Sequence, residues 1–124
     1  MLAGSLLAFG DFQLDLIGRR LMRRGDVIQL SERLFGVLSL LVCAEGAIVE
    51  KETFATTVWS DATMTDANLA QHIYLLRQIL KETARHRAYI VAASGRGYRL
   101  TVPVWAERSR WVSGIGLMPS AKSA

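Results

Sequence analysis

The sequence has few of the residues that cross-link or interrupt a fold. It contains one cysteine and two prolines among 124 residues, so no disulfide can form within the chain. Cys43 lies in the apolar run 38–44, which predicts a thiol buried in the core and suits a reducing cytosol. With 51% hydrophobic residues, the chain is expected to fold as one domain around an ordinary hydrophobic core.

Long apolar runs are also absent. No stretch approaches the roughly 20 apolar residues that a membrane-spanning helix needs. The apolar start, residues 1–9, lacks the basic leading region of a signal peptide. We therefore expect a soluble, cytoplasmic chain without a membrane span.

The residue clusters that carry catalysis or bind metals are missing as well. His72 and His86 are too isolated to predict a metal site, and Cys43 does not complete one. Residues 95–97 (Gly-Arg-Gly) lack the third glycine and the following helix of a nucleotide-binding loop. Ser94 has no glycine elbow to present it as a nucleophile. The expectation is no enzyme activity, no metal, no cofactor and no small-molecule substrate.

Positive charge is in modest excess. Fifteen Lys and Arg against eleven Asp and Glu give a net charge of +4, and the isoelectric point is about 9.7. This balance favours a polyanionic partner such as nucleic acid. Because many soluble proteins carry a similar charge, the prediction needs support from the arrangement of the basic residues.

The first thirty residues predict a small antiparallel sheet. Short strand-like segments lie at 7–9, 12–14, 20–23 and 27–30. Glycine-containing turns separate them, which supply the positive φ angles that tight hairpins need. These turns are Gly10-Asp11, Gly18 and Gly25-Asp26.

Three amphipathic helices are predicted next. Ser31 is a suitable N-cap for the first helix, and Gly46 stands where that helix would end. A short apolar link, 47–49, precedes a second helix that carries Phe54, Val58 and Trp59.

The third helix, about 66–82, is the candidate for reading DNA. Thr65 or Asp66 would cap it. Its core stripe comprises Leu69, Ile73, Leu76 and Leu80. The opposite face carries Gln71, Tyr74 and Gln78, with Lys81 beside it, and glutamine can pair with adenine in a major groove. An ordinary solvated helix face is the alternative.

A basic hairpin closes the recognisable pattern. Strand-like segments 89–92 and 98–102 flank a glycine-rich tip, and Pro103 ends the pattern. Arg96 stands at the tip and Arg99 on the returning strand, where they could grip phosphate or enter a minor groove. A solvated turn is again the alternative. The order of small sheet, three helices and hairpin predicts an α+β fold.

Together these segments resemble the OmpR/PhoB-type winged helix-turn-helix DNA-binding domain. The resemblance covers roughly 7–104 and rests on spaced signals. They are 27–35, Val58-Trp59, 69–80 with Leu76-Arg77, Tyr89-Ile90 and 95–100. The segment 65–69 is most similar to the branch of CadC- and ToxR-like regulators. The resemblance implies a four-stranded N-terminal antiparallel sheet, three helices and a C-terminal β-hairpin wing (about 89–102).

The same resemblance implies sequence-specific binding of double-stranded DNA for transcriptional regulation. The third helix would enter the major groove and the wing would approach the minor groove. The predicted DNA-binding residues are Gln71, His72, Tyr74, Leu75, Arg77, Gln78, Lys81, Ser94, Arg96 and Arg99. The loop between the second and third helices would contact RNA polymerase through Ser60, Asp61, Thr63 and Met64. A homodimer on paired half-sites is expected from the family, whereas Trp59 and Tyr98 are expected to be structural.

Some positions depart from the family pattern. Many relatives carry arginines where this chain has Tyr74 and Leu75, and an arginine where it has Ser94. Fewer cations predict a shallower salt dependence of DNA binding. They also keep open an alternative, a winged helix repurposed for contact with RNA polymerase or another regulator.

The predicted domain boundaries place the winged helix at 1–104 and a linker or flexible extension at 105–124. No receiver domain is present in this sequence. The domain would act in the cytoplasm at the nucleoid, and a longer, membrane-anchored parent protein stays open.

Overall fold

The N-terminal part of the chain is an antiparallel meander, as its alternation predicts. The structure, a computed structural model, describes residues 6–81 and 88–107. The first four strands are β1 (Leu6–Phe9), β2 (Phe12–Asp15), β3 (Arg20–Arg23) and β4 (Asp26–Ile28). Leu7, Leu14 and Leu21 lie opposite one another on neighbouring strands and are at most 2% exposed. This row of leucines gives the sheet its core face.

The first helix begins at the predicted cap. Ser31 Oγ accepts a hydrogen bond from the Leu34 backbone N–H at 3.1 Å, which satisfies one of the donors left free at a helix N-terminus. The helix α1 spans Glu32–Cys43. Gly46 follows its end with a φ of +96°, a conformation that glycine adopts without steric cost.

The second helix is shorter than its pattern predicts. The helix α2 spans Lys51–Thr57, so Val58 and Trp59 lie in the turn that follows it. Trp59 is nevertheless 4% exposed and Phe54 is fully buried. The apolar positions were therefore identified correctly as core, although the pattern extended the helix by two residues.

The third helix has the predicted length and stripe. The helix α3 spans Asp66–Lys81, and residue 82 lies outside the described part. Thr65 is the N-cap, because its Oγ1 accepts a hydrogen bond from the Asn68 backbone N–H at 3.0 Å. The four stripe residues are each at most 1% exposed: Leu69, Ile73, Leu76 and Leu80.

A second, three-stranded sheet carries the wing. Its strands are β5 (Val49–Glu50), β6 (Ile90–Ala93) and β7 (Gly97–Leu100), in the order β5-β7-β6. The turn between β6 and β7 has positive φ angles at Ser94 (+44°) and Gly95 (+77°), the combination typical of a type I′ hairpin turn. The strand β5 was not predicted, since the pattern of 47–49 indicates only an apolar link.

The four predicted strands of the N-terminal sheet are present, and the structure adds a fifth strand to them. The strand β8 (Trp105–Ala106) pairs antiparallel with β1, giving the order β4-β3-β2-β1-β8. The sequence pattern assigns these two residues to the linker 105–124. The edge of β1 offers unpaired backbone groups, and the chain returns to them after Pro103. Residues 108–124 lie outside the described part, so for these residues the linker stays a prediction.

Cys43 is exposed, which corrects the expectation of a buried core thiol. It is the last residue of α1, one position beyond the buried Val42. One residue further along a helix turns the side chain by about 100°, away from the core face. Partial desolvation and the nearby charge of Glu45 raise the pKa of this thiol, so it is a poor nucleophile at neutral pH.

The described part of the chain has no helix that combines the length and the apolar character needed to cross a membrane.

We predict that Gly97→Ala destabilises the domain by about 2–3 kcal/mol, as expected for overpacking. A Cβ at position 97 would clash with the backbone carbonyl oxygen of Val49, so β7 would have to move away from β5. The free energy of unfolding in urea measures the effect.

Gly95→Ala is the matched control for that substitution. A Cβ at position 95 meets nothing within 4 Å, and only its φ of +77° opposes a side chain, which costs about 1 kcal/mol. If Gly97→Ala were no more destabilising than Gly95→Ala, the close approach of the two strands would not be a constraint.

Candidate nucleic-acid interface

The exposed face of α3 presents polar and aromatic side chains. Gln71 and Gln78 are exposed, and Tyr74 is 54% exposed. Leu75 lies beside them at 36% exposed. Because this face is opposite the buried stripe, the hydrogen-bonding groups of both glutamines and the tyrosine point away from the core. A helix with such a face can offer amide and hydroxyl groups to base edges.

On α3, the predicted DNA-binding residues His72 and Arg77 make contacts within the domain. The Nδ1 atom of His72 lies 2.8 Å from the carbonyl oxygen of Asn68, and the imidazole packs edge-on against Trp59 at 5.0 Å between ring centroids. Arg77 Nε donates a hydrogen bond to the carbonyl oxygen of Ile90 at 3.1 Å. His72 and Arg77 therefore lie at the edges of the exposed face of α3. They connect this helix to Trp59 and to Ile90 of β6.

The tip of the wing is exposed and well defined. Ser94, Gly95 and Arg96 are all exposed, and the Arg96 N–H donates to the Ala93 carbonyl oxygen at 2.8 Å. Arg99 is exposed on β7. Two guanidinium groups therefore belong to the same thin projection, where they could contact phosphates.

Ion pairs connect the wing to α2 and α2 to α3. Arg96 Nη2 lies 2.7 Å from Glu50 Oε2, and Lys51 Nζ lies 3.2 Å from Asp66 Oδ2 in the first turn of α3. Sequence reasoning missed Glu50 and Lys51, because no local spacing relates residues 46 positions apart such as Glu50 and Arg96. The structure thus brings together both predicted DNA-contacting elements at the start of α2.

Lys81 is the last residue of α3, and its side chain lies outside the described part. Its predicted role in DNA binding therefore stays a prediction.

The predicted polymerase-contact loop is exposed but anchored. Ser60, Asp61 and Thr63 are exposed, whereas Met64 is partly buried and packs against the core. Asp61 Oδ1 lies 3.5 Å from Arg33 Nη2 of α1. The loop therefore offers a polar surface, which the Arg33–Asp61 pair connects to α1, while Met64 contributes to packing.

An open groove of about 630 Å³ lies beside α1. Its charged lining residues are already engaged with one another, since Arg33 pairs with Asp61 and Arg19 pairs with Glu32. Among the described residues, no three His, Cys, Asp or Glu side chains are grouped so that they could hold a metal ion.

Comparison with known sequences identifies similar proteins. The family described as "Transcriptional regulatory protein, C terminal" matches residues 25–100. The transcriptional regulator HilA of Salmonella typhimurium is 40% identical over 96 residues, which are 77% of this chain and 17% of HilA. The chain thus spans less than a fifth of the length of that relative.

Solved structures are similar over most of the chain. The DNA-binding domain of Escherichia coli CadC has a TM-score of 0.73 and 25% identity, covering 83% of this chain and 97% of that domain. The RstA DNA-binding domain of Klebsiella pneumoniae, solved in complex with the RstA box, has a TM-score of 0.64 and 24% identity. That alignment covers 77% of this chain and 95% of the RstA domain, and it extends the shared winged-helix fold to a second solved domain.

We predict that Arg77→Met destabilises the domain by about 1–2 kcal/mol, because it removes the donor to the partly buried Ile90 carbonyl oxygen. Thermal unfolding followed by circular dichroism measures the change. Arg24→Met, at an exposed turn position, is the control and should change stability by less than about 0.5 kcal/mol. If Arg77→Met were as stable as the wild type, the hydrogen bond to Ile90 would contribute nothing to stability. The guanidinium of Arg77 in the wild type would then be free to contact DNA.

Proposed function

Since the chain belongs to the OmpR/PhoB-type family of transcriptional regulatory protein C-terminal domains, we propose that it binds double-stranded DNA sequence-specifically and thereby regulates transcription. One observation carries the proposal. The exposed face of α3, with Gln71, Tyr74 and Gln78, lies in the same domain as an arginine-bearing wing, and ion pairs through the start of α2 connect the two. The family is one of transcription regulators and not of enzymes.

The third helix would read the bases. A B-form major groove admits one α-helix, and a glutamine amide can form two hydrogen bonds with adenine. Gln71 and Gln78 are the side chains of α3 suited to this pairing, and the hydroxyl of Tyr74 can reach a base edge or a phosphate. His72, Leu75 and Arg77 would line the edges of the contact.

The wing would supply the sequence-independent part of the affinity. Arg96 and Arg99 can neutralise phosphates, and the hydroxyl of Ser94 can donate a hydrogen bond to a phosphate oxygen. Each phosphate that a cation neutralises releases counterions from DNA, which makes binding depend on salt. Because α3 exposes a tyrosine and a leucine rather than additional cations, the wing would carry a large share of that term.

The similar proteins support DNA binding and transcriptional regulation by this domain. HilA is a transcriptional regulator, CadC contributes a DNA-binding domain, and the RstA domain was solved on its DNA box. The chain spans 17% of HilA, so the activity of any longer protein around this domain is part of the proposal.

Further partners belong to the same proposal. A second copy on a paired half-site would add affinity, since one small module buries a limited area on DNA. RNA polymerase would contact Ser60, Asp61 and Thr63 of the loop, and Met64 would hold the loop in place by packing against the core. Binding to chromosomal DNA requires a cytoplasmic location, and the domain would act without catalysis or cofactor.

A second candidate function is contact with another protein. The exposed apolar surface of Tyr74 and Leu75, 54% and 36% exposed, is the observation that favours it. Such a contact would bury these two side chains and would show little dependence on salt, in contrast to phosphate binding.

We predict that Arg96→Ala/Arg99→Ala weakens binding to a labelled duplex of mixed sequence. The slope of log K against log salt should become shallower by about two, since two phosphate contacts are lost. Fluorescence anisotropy at several salt concentrations measures the slope.

The control for the double variant is Arg20→Ala/Arg24→Ala, which removes the same charge from the N-terminal sheet. Its slope should stay close to that of the wild type. Absence of binding by a folded wild-type domain, or binding that does not respond to salt, would reject the stand-alone DNA reader in favour of protein contact.

We also predict that Gln71→Ala relaxes the preference at one base pair of the operator. The loss of a bidentate pair should cost about 1–3 kcal/mol on the preferred sequence and little on others. Selection from a randomised duplex library identifies the preferred sequence, and titration of single base-pair variants gives the preference. Gln29→Ala, at an exposed position after β4, is the control. An unchanged preference in Gln71→Ala would place base readout on other side chains.

A further inference from the structure

Glu50 lies at the junction of the wing and the second helix. It ends β5, where it pairs with Gly97 of β7, and it is the N-cap residue of α2. The short side chain of a Ser, Thr, Asp or Asn at an N-cap accepts a backbone hydrogen bond from the first turn of its helix. The side chain of Glu50 makes no such bond. Instead, its Oε2 accepts a hydrogen bond from Arg96 Nη2 at 2.7 Å.

The backbone of Arg96 is held from both sides. Its N–H donates to the Ala93 carbonyl oxygen at 2.8 Å, and its own carbonyl oxygen accepts from the Lys51 N–H at 3.0 Å. The tip of the wing is therefore fixed with respect to the start of α2. The direction of the Arg96 side chain is the remaining freedom, and in this structure Glu50 sets it.

The ion pair between Arg96 and Glu50 is exposed to solvent, so Arg96 can exchange this partner for another acceptor. The side chains of Arg96 and Glu50 are 58% and 50% exposed. Water and salt screen such a pair, so it holds its partners only modestly. A DNA phosphate offers the guanidinium an alternative charge-assisted acceptor, and accepting it leaves the Glu50 carboxylate unpaired close to the negatively charged backbone.

We infer that Glu50 is a positioning residue that restrains Arg96 in the free domain and competes with DNA phosphate for it. This inference rests on the proposed function. Glu50 lowers the contribution of the wing to sequence-independent binding, so that base contacts from α3 account for a larger share of the total affinity. The net charge of the tip region is thereby kept low until a phosphate displaces the carboxylate.

The test is a double-mutant cycle in the full chain. Glu50→Gln keeps the size and polarity of the side chain and removes its charge. It should raise the affinity for a mixed-sequence duplex about two- to five-fold at low salt, the range expected for an exposed ion pair. The gain should shrink as salt screens the pair, and it should disappear in an Arg96→Ala background.

Glu52→Gln is the matched control. It removes the same charge two residues further along the chain, in the first turn of α2, where the carboxylate of Glu52 forms no ion pair among the described residues. Its effect on affinity should be smaller than that of Glu50→Gln and should be the same with and without Arg96. Equal gains from both variants would show general charge repulsion and would overturn the inference.

A readout without DNA tests the restraint directly. The side-chain Nε–H relaxation of Arg96, measured by NMR in the free domain, should show a more mobile guanidinium in Glu50→Gln than in the wild type. Equal mobility would overturn the inference, as would a gain in affinity that persists in the Arg96→Ala background.

The failure of the inference differs from the failure of the proposed function. A wild-type domain that binds no duplex would overturn the proposed function, and the competition for Arg96 with it. A wild-type domain that binds duplex, with a Glu50→Gln variant that binds equally well, would overturn the inference alone.

Discussion

The close approach of β7 to β5 at Gly97 is the constraint on which the candidate interface depends. The carbonyl oxygen of Val49 lies where a Cβ of residue 97 would be, so the two strands pair only with glycine at this position. The pairing places Arg96 next to the start of α2, where Lys51 and Glu50 hold its backbone and its side chain. A wing that depended on its own hairpin alone would be marginal in water, whereas here it is built onto the helical core.

The chemistry of α3 follows from how its residues divide between two faces. Leu69, Ile73, Leu76 and Leu80 are buried, and the exposed face opposite them carries two glutamines, a tyrosine and a leucine. These groups can discriminate between bases or proteins but contribute little long-range attraction. The wing carries two further cations, Arg96 and Arg99, and Arg96 is paired with Glu50 in the free domain. In the proposed function, base readout and phosphate contact would thus come from different elements of the same small fold.

Much of the fold could be predicted from the sequence, because the predictable elements have periods long enough to detect. The first four strands, the cap at Ser31, the stripe of α3 and the glycine-rich hairpin were all identified, and the OmpR/PhoB-type resemblance is confirmed by the family match. The two-residue strands β5 and β8 were not, since two residues cannot show an alternation. The apolar run around Cys43 predicts a buried thiol, whereas the position of this residue on α1 turns its side chain outward.

The sequence by itself determined which residues pack and which are free to make contacts, because hydrophobic periodicity records the faces of helices and strands. It also determined the family, through glycine, tryptophan and leucine-arginine signals at fixed spacings. Only the tertiary structure decided which of the free residues are already engaged. Arg77 with Ile90, His72 with Trp59 and Arg96 with Glu50 are contacts between separate elements of the fold. Such contacts depend on distances in space, which a linear pattern does not contain.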